Sequence, residues 1–251
     1  MARLGLQLYT LRDLARQDFL GTIRHVAEIG YEGIEFAGYF GTPARVLKDT
    51  LDRHGLLCAG TVVPVPVLEQ GLEGAIEYAR ITASPAVICP WLPEGYRADG
   101  GAYRRTAESL NRFGALCRAN GLRFLYHIHG YEWQDLSGER GMDILLQRCD
   151  PAVVAFQADV YWIEHAGVDS LAFLQQHGAR CPYVHFKDMA DRASRRGTEV
   201  GAGAIDMRGV MRQAKRWQAE WLTVEQEEFS IPPFESVAVS LHNLRRLASE
   251  A

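Results

Sequence analysis

The feature that most constrains this chain is a rhythm. Short apolar runs recur along its whole length: LGLQLY (4–9), GIEFA (33–37), LLCAGTVV (56–63), AVICPW (86–91), LRFLYHIH (122–129), VVAFQADV (153–160), YVHFK (183–187) and WLTVEQ (221–226). Each is too short for a stable helix, and several are rich in β-branched or aromatic residues, so all eight read as buried strands. Between them lie helical patterns. In FLGTIRHVAEIG, Phe19, Ile23, Val26 and Ile29 recur at three- or four-residue steps, and Gly30 supplies the stop. A second pattern ends at Gly121, a third opens at Asp169 to Leu171, a fourth spans Ala204 to Trp217 with Asp206 as N-cap, and the tail from Pro232 gives the last. Eight strands alternating with eight helices imply parallel pairing through right-handed crossovers. Over 251 residues the economical closure is a single-domain α/β fold, a (β/α)8 TIM barrel spanning 1–251. An open doubly wound sheet is the alternative. It normally carries a glycine-rich turn after its first strand, whereas the turn after Tyr9 is TLRD.

Composition narrows the function classes. At 47% hydrophobic and 23% charged residues the chain can bury a full core. The net charge of −4 is nearly balanced and the 27 basic residues are scattered, so no broad basic face for nucleic acid is expected. The start, MARLGLQLYTLRD, turns polar at Thr10 and does not read as a signal peptide. No apolar run approaches the roughly 20 residues that cross a bilayer. Five cysteines at irregular spacing, with no CxxC pair, read as reduced and mostly buried thiols. A cytoplasmic protein without membrane or nucleic-acid partners is the expectation.

The ends of the strands carry the chemistry. Ionisable residues there are costly unless they face a polar mouth, yet Glu35, His127 with His129, Asp159, His185 with Lys187, and Glu225 all occupy such places. Period two puts Leu125, His127 and His129 on one face of their strand, and Phe124, Tyr126 and Ile128 on the other. The same rule aligns Ala155, Gln157 and Asp159, and aligns Tyr183, His185 and Lys187. Asp159, His185 and Glu225 form a mixed oxygen and nitrogen set suited to Mn²⁺, Mg²⁺, Co²⁺ or Zn²⁺. A divalent ion chelated by a hydroxyl and its neighbouring carbonyl acidifies the C–H between them.

In this order and spacing, QLYTLRD (7–13), GYEGIEFAG (30–38), YHIHGYEW (126–133), DVYWIEHAG (159–167), VHFKDM (184–189), VGAGAIDM (200–207) and TVEQEEF (223–229) resemble the sugar-phosphate isomerase/epimerase superfamily with the xylose-isomerase-like barrel. That group includes endonuclease IV, tagatose and psicose 3-epimerases, and inosose dehydratase. The resemblance implies one divalent ion, with manganese placed first and zinc, cobalt or magnesium as alternatives. It also implies a Glu, Asp, His and Glu ligand set from strands 5 to 8. Asp159, His185 and Glu225 match the last three positions. The strand-5 glutamate is missing: Tyr126 or His127 stands there, as in a subgroup with an HxH pattern to which inosose dehydratase belongs. Glu132 is placed as the fourth ligand, folding back from the loop, with His127 as the alternative.

Glu225 and His127 or His129 are then the acid/base groups, and Lys187 a group that steadies an oxyanion or a phosphate, unless it simply pairs with Asp188. Glu35, Tyr9 and Trp162 are candidate substrate contacts. Arg192, Arg195 and Arg196 after the seventh strand could hold a phosphate. The function expected is a metal-dependent isomerase or epimerase acting on a small-molecule carbohydrate, a sugar, sugar phosphate or keto-polyol. A dehydratase on a keto-inositol or keto-sugar is the alternative, and a non-catalytic sugar-binding barrel the alternative of another class. A DNA-repair endonuclease should show more metal-binding histidines and a basic groove. A homo-oligomer is compatible with the resemblance.

Overall fold

The computed structural model describes residues 2–251; Met1, part of the expected domain span, lies outside the described residues. Among the described residues there are ten strands: β1 (Arg3–Gln7), β2 (Gly33–Phe36), β3 (Leu57–Val62), β4 (Ala86–Cys89), β5 (Arg123–His127), β6 (Ala155–Asp159), β7 (Tyr183–Phe186), β8 (Asp188–Met189), β9 (Gly197–Thr198) and β10 (Trp221–Val224). β1 to β7 and β10 are the eight expected strands, and they close into one barrel in the order β1-β10-β7-β6-β5-β4-β3-β2. All eight neighbouring pairs are parallel, with β10 against β1 completing the ring.

The helices form where capping and periodicity coincide. Phe19–Ile29 starts at Asp18, whose carboxylate accepts the Gly21 N–H, and stops at Gly30 in the left-handed region (φ 103°). Gly100–Ala119 starts on the Asp99 carboxylate, which accepts the Ala102 N–H at 2.7 Å. The expected helix from Ala204 begins later, at Met207, because Asp206 caps it and the N–H of Ile205 donates to the Asp188 carboxylate instead. The structure also adds short helices at Arg12–Gln17, Val65–Gln70 and Val160–His165, and the β8–β9 hairpin. No helix among the described residues is long and apolar enough to cross a membrane. All five cysteines are buried and free.

Period two separates two cores. Outward residues such as Phe124 pack under the helices, its ring 6.0 Å from that of Phe113. Inside the barrel, Ala59, Ala86, Ile88, Leu125, Tyr183 and Trp221 form a separate apolar floor. Trp221 fills most of it and dictates what its neighbours can be. A Cβ at Gly33 would lie 2.5 Å from the Trp221 ring and 2.8 Å from the Leu57 carbonyl oxygen. Glycine is therefore required there by close approach rather than by backbone conformation. Above this floor, two residues further along β1, β2, β5, β6 and β7, the inward residues become polar: Gln7, Glu35, His127, Gln157 and His185.

Candidate metal centre

Asp159 ends β6 and caps the helix that follows. Its Oδ1 accepts the Trp162 N–H at 3.1 Å, which orients the carboxylate and leaves Oδ2 facing inward. His185 and Glu225 come from β7 and from the residue just after β10, and His127 is the last residue of β5. One ligand atom from each of His127, Asp159, His185 and Glu225 can be chosen so that all lie within 4.8 Å of one another. His127 Nε2 and His185 Nδ1 are each 4.0 Å from Asp159 Oδ2, and His185 Nδ1 is 2.7 Å from a Glu225 oxygen. All four residues are buried.

The donor set fits a divalent cation. Asp159 Oδ2 and His185 Nδ1 are buried polar atoms without a hydrogen-bond partner; Nδ1 is close to Glu225 but not aligned for a bond. Buried polar atoms are rarely left so, and a shared cation satisfies both. Two imidazole nitrogens and two carboxylates suit zinc, manganese or cobalt better than magnesium, which favours oxygen.

The supporting hydrogen bonds set which nitrogen of each imidazole faces the cluster. His185 Nε2 lies 3.0 Å from Glu35 Oε1, and His127 Nδ1 lies 2.9 Å from Gln157 Oε1. Gln157 Nε2 in turn donates to Glu35 Oε2 at 2.6 Å. Glu35 was an expected substrate contact; the structure buries it fully, with both oxygens accepting from protein donors. Gln157 escaped selection in the sequence because an amide carries no charge, although period two had already aligned it with Asp159.

Glu132 is corrected. Its carboxylate does not reach the cluster: it accepts the Tyr126 hydroxyl at 2.6 Å and the backbone N–H of His129 at 3.0 Å. Burial pushes its carboxyl up to about 7. The geometry favours the stated alternative: His127 joins the cluster, and Glu132 braces the loop behind it. His129 is not one of the four, though its ring centre is 4.6 Å from that of His127; it lies 5.4 Å from Tyr131 and 5.6 Å from Trp162.

Lys187 does not pair with Asp188. It is buried, hydrogen-bonded to Glu227, 3.7 Å from a Glu225 oxygen, and 4.7 Å from the centre of the Trp162 ring. Asp188 instead accepts the backbone N–H groups of Gly201, Gly203 and Ile205, so the amides of VGAGAID fasten their own loop. Arg192 is bound to Glu164 at 2.6 Å and Arg196 lies 3.7 Å from Glu228.

Electrostatics divide the group. Burial drives His127 well below the ordinary imidazole range and His129 down to about 4. Burial also works against charge on His185, but the Glu35 and Glu225 carboxylates outweigh it and hold the group at about 10. Asp159 is pushed up to about 7 by burial. For Glu225 burial is outweighed by Lys187 and His185, which hold it below its usual range, and Lys187 is held up by Glu225, Asp159 and Glu227 against its own burial. A cation held by the cluster would take the place of the proton on His185 Nδ1.

The cluster opens onto a cavity of about 460 Å³ at the C-terminal ends of the strands. Tyr9 and Trp91, both nearly half exposed, stand at its edge with Trp162. Val62, Pro64, Ile88 and Pro90 make one wall apolar, while His127, His129, His185 and Glu225 make the other ionisable.

The family described as xylose isomerase-like TIM barrel matches residues 23–247. Inosose dehydratase of Geobacillus kaustophilus is 23% identical over 189 residues, covering 66% of this chain and 61% of that protein. The chain thus spans about three-fifths of the length of the curated relatives it matches. Among solved structures, a sugar phosphate isomerase/epimerase from Parabacteroides distasonis superposes with a TM-score of 0.85 at 22% identity, over 98% of both chains. A structure of IOLI protein with a bound zinc atom gives 0.79 at 13% identity, over 99% of this chain and 98% of that one.

Proposed function

Since this chain belongs to the xylose isomerase-like TIM barrel family, we propose that it is a metal-dependent isomerase or epimerase that moves a proton beside the carbonyl of an unphosphorylated polyhydroxy ketone. The observation that carries the reading is the convergence of His127, Asp159, His185 and Glu225, with two of their inward atoms lacking any hydrogen-bond partner. These four residues would hold the cation. When bound, it supplies positive charge that acidifies the C–H next to a chelated carbonyl.

The chain's own residues do the rest. His129, kept neutral by burial and held between Tyr131 and Trp162, lines the cavity without joining the cluster and is the group placed to take a proton. Glu225 is turned toward the cluster by Lys187 and is the candidate for the opposite transfer. Lys187 acts through Glu225 and Glu227, since it is buried and its ammonium is engaged by them. Trp162, Trp91 and Tyr9 offer aromatic faces to the C–H side of a sugar ring.

Charge argues against a phosphate. Among the described residues lining the cavity there are the carboxylates Glu35, Glu225 and Glu227 and no Lys or Arg. Of the cations expected to hold a phosphate, Lys187, Arg192 and Arg196 face carboxylates already, and Arg195 does not line the cavity. A dianionic group finds no charge-assisted fork here.

A second completion of the same first step, loss of a neighbouring hydroxyl as water, is favoured by the relatives named inosose dehydratase. Incubation of Mn²⁺-, Co²⁺- or Zn²⁺-loaded protein with free ketoses and a keto-inositol in D₂O, followed by NMR, separates the readings. Deuterium at the carbon beside the carbonyl with a new epimer or aldose supports isomerisation, and loss of that carbon's proton with an enone product supports dehydration. Binding of sugar with neither exchange nor turnover makes the chain a non-catalytic sugar-binding barrel.

A further inference from the structure

We infer that Glu35 is a positioning residue of the metal centre: one buried carboxylate on β2 dictates which nitrogen of both His185 and His127 faces the cation. The inference rests on the metal-centre reading above and extends it to a residue that touches neither cation nor reacting atoms.

The argument is one of hydrogen-bond polarity. A carboxylate only accepts, whereas a side-chain amide has one accepting and one donating end. Glu35 receives three donors: Gln7 Nε2 at 2.5 Å and His185 Nε2 at 3.0 Å on Oε1, and Gln157 Nε2 at 2.6 Å on Oε2. The bond from His185 keeps a hydrogen on Nε2, so Nδ1, the atom beside Asp159 and Glu225, is the nitrogen that would give up its proton to a cation. The bond from Gln157 fixes the amide with its nitrogen toward Glu35, so its oxygen must face His127 Nδ1, 2.9 Å away. An oxygen there requires hydrogen on Nδ1, which frees Nε2 for the cluster. Gln7 is fixed at its other end, where Oε1 accepts the Tyr9 N–H at 3.0 Å, so it too can only donate to Glu35. Every polarity in the chain Gln7–Glu35–Gln157–His127 thus follows from Glu35 having no hydrogen to give.

Glu35→Gln keeps the shape and destroys this polarity. With its new NH₂ in place of Oε2 it opposes the Gln157 NH₂; with it in place of Oε1 it opposes His185 and Gln7. Relief in the first case is a flip of Gln157, which turns an NH₂ toward His127 Nδ1 and moves the hydrogen to Nε2, where it blocks ligation.

The test uses the whole chain labelled with ¹⁵N-histidine. Zinc affinity is measured by competition titration, and histidine tautomers by long-range ¹H–¹⁵N NMR of the zinc-loaded protein. Wild type should show His185 with hydrogen on Nε2 and His127 with hydrogen on Nδ1. Glu35→Gln should bind zinc about 10- to 100-fold more weakly, the range for lost outer partners of metal-bound histidine, and should change the pattern of at least one of the two rings. Gln157→Leu should alter His127 alone and decides the matter if Glu35→Gln does not fold. Zinc binding within threefold of wild type with unchanged tautomers in the variant that folds overturns the inference. If Asp159→Ala binds zinc as tightly as wild type, or wild type binds none, the metal centre itself is wrong and the inference falls with it.

Discussion

The same strands build two interiors that obey different rules. At the floor, Tyr183, Leu125, Ala155 and Trp221 point inward and pack as apolar volume. One period further on, the inward residues of the same strands are His185, His127, Gln157 and Thr223, and beyond them Asp159 and Glu225. The floor tolerates no change of shape, because Trp221 lies against the backbone of Gly33. The mouth tolerates little change of polarity, because the outer nitrogens of His185 and His127 are matched through Glu35 and Gln157. The floor's contribution is a packed volume that is complete without any ligand. The mouth gathers Asp159, His185, Glu225 and His127 away from water, a cost that a bound cation would offset.

Substitutions that separate shape from polarity test the division. The largest effect on stability is expected at Trp221→Ala, which should lose about 3–5 kcal/mol in denaturant unfolding. Its metal affinity, measured on the fraction that remains folded, should stay close to wild type. A large loss of affinity would show that floor and mouth are one mechanical unit. Next comes the cation. At a concentration 100 times its dissociation constant, Mn²⁺ or Zn²⁺ should stabilise wild type by about 2.7 kcal/mol, read as a rise in the midpoint of thermal unfolding that a chelator reverses. His185→Ala should abolish that rise. If the variant responds to metal as wild type does, the stabilising site lies elsewhere on the molecule. Gly33→Ala follows, at about 1–3 kcal/mol of destabilisation from overpacking. A Trp221→Phe change made together with it should recover part of the loss, since the two sites share one contact. Simple additivity would mean that the ring does not feel the new methyl group.

The floor and the mouth were also unequally legible in the sequence. The eight strands were readable because each is an apolar run bounded by turn residues, and period two assigned their faces. Asp159, His185 and Glu225 could be singled out because charge at a strand end is costly and therefore informative. The choice between His127 and Glu132 was not readable from spacing. It depends on the path of residues 128–132, which is set when Tyr126 and the His129 N–H bind the Glu132 carboxylate. Glu35 and Gln157 stand 122 positions apart in the chain and meet only after the barrel closes, so no local pattern announces their bond. The match of Gly33 to Trp221 was hidden in the same way, since a glycine opening a strand looks like any turn residue until the facing ring is known.

Thr223 lies on the boundary, between Trp221 below and Glu225 above on one inward face of β10, and it carries the smallest prediction. Its hydroxyl is buried and makes no hydrogen bond, although His185 is its neighbour across the strand pair. The neighbouring strand offers only Gly5, where a Cβ would sit 3.4 Å from the hydroxyl oxygen. If the polar network runs only through His185, Glu35 and Gln157, the hydroxyl is out of place. Thr223→Val keeps the branched shape and removes the unpaired group, whose burial costs about 1–3 kcal/mol. The variant should therefore be more stable by about 1 kcal/mol in denaturant unfolding, with unchanged metal affinity. A loss of stability of similar size would mean that the hydroxyl is hydrogen-bonded in solution. It would also bring Thr223 into the polar network beside His185, its partner across the strand pair. A fall in metal affinity would go further, because it would add Thr223 to the groups that orient His185.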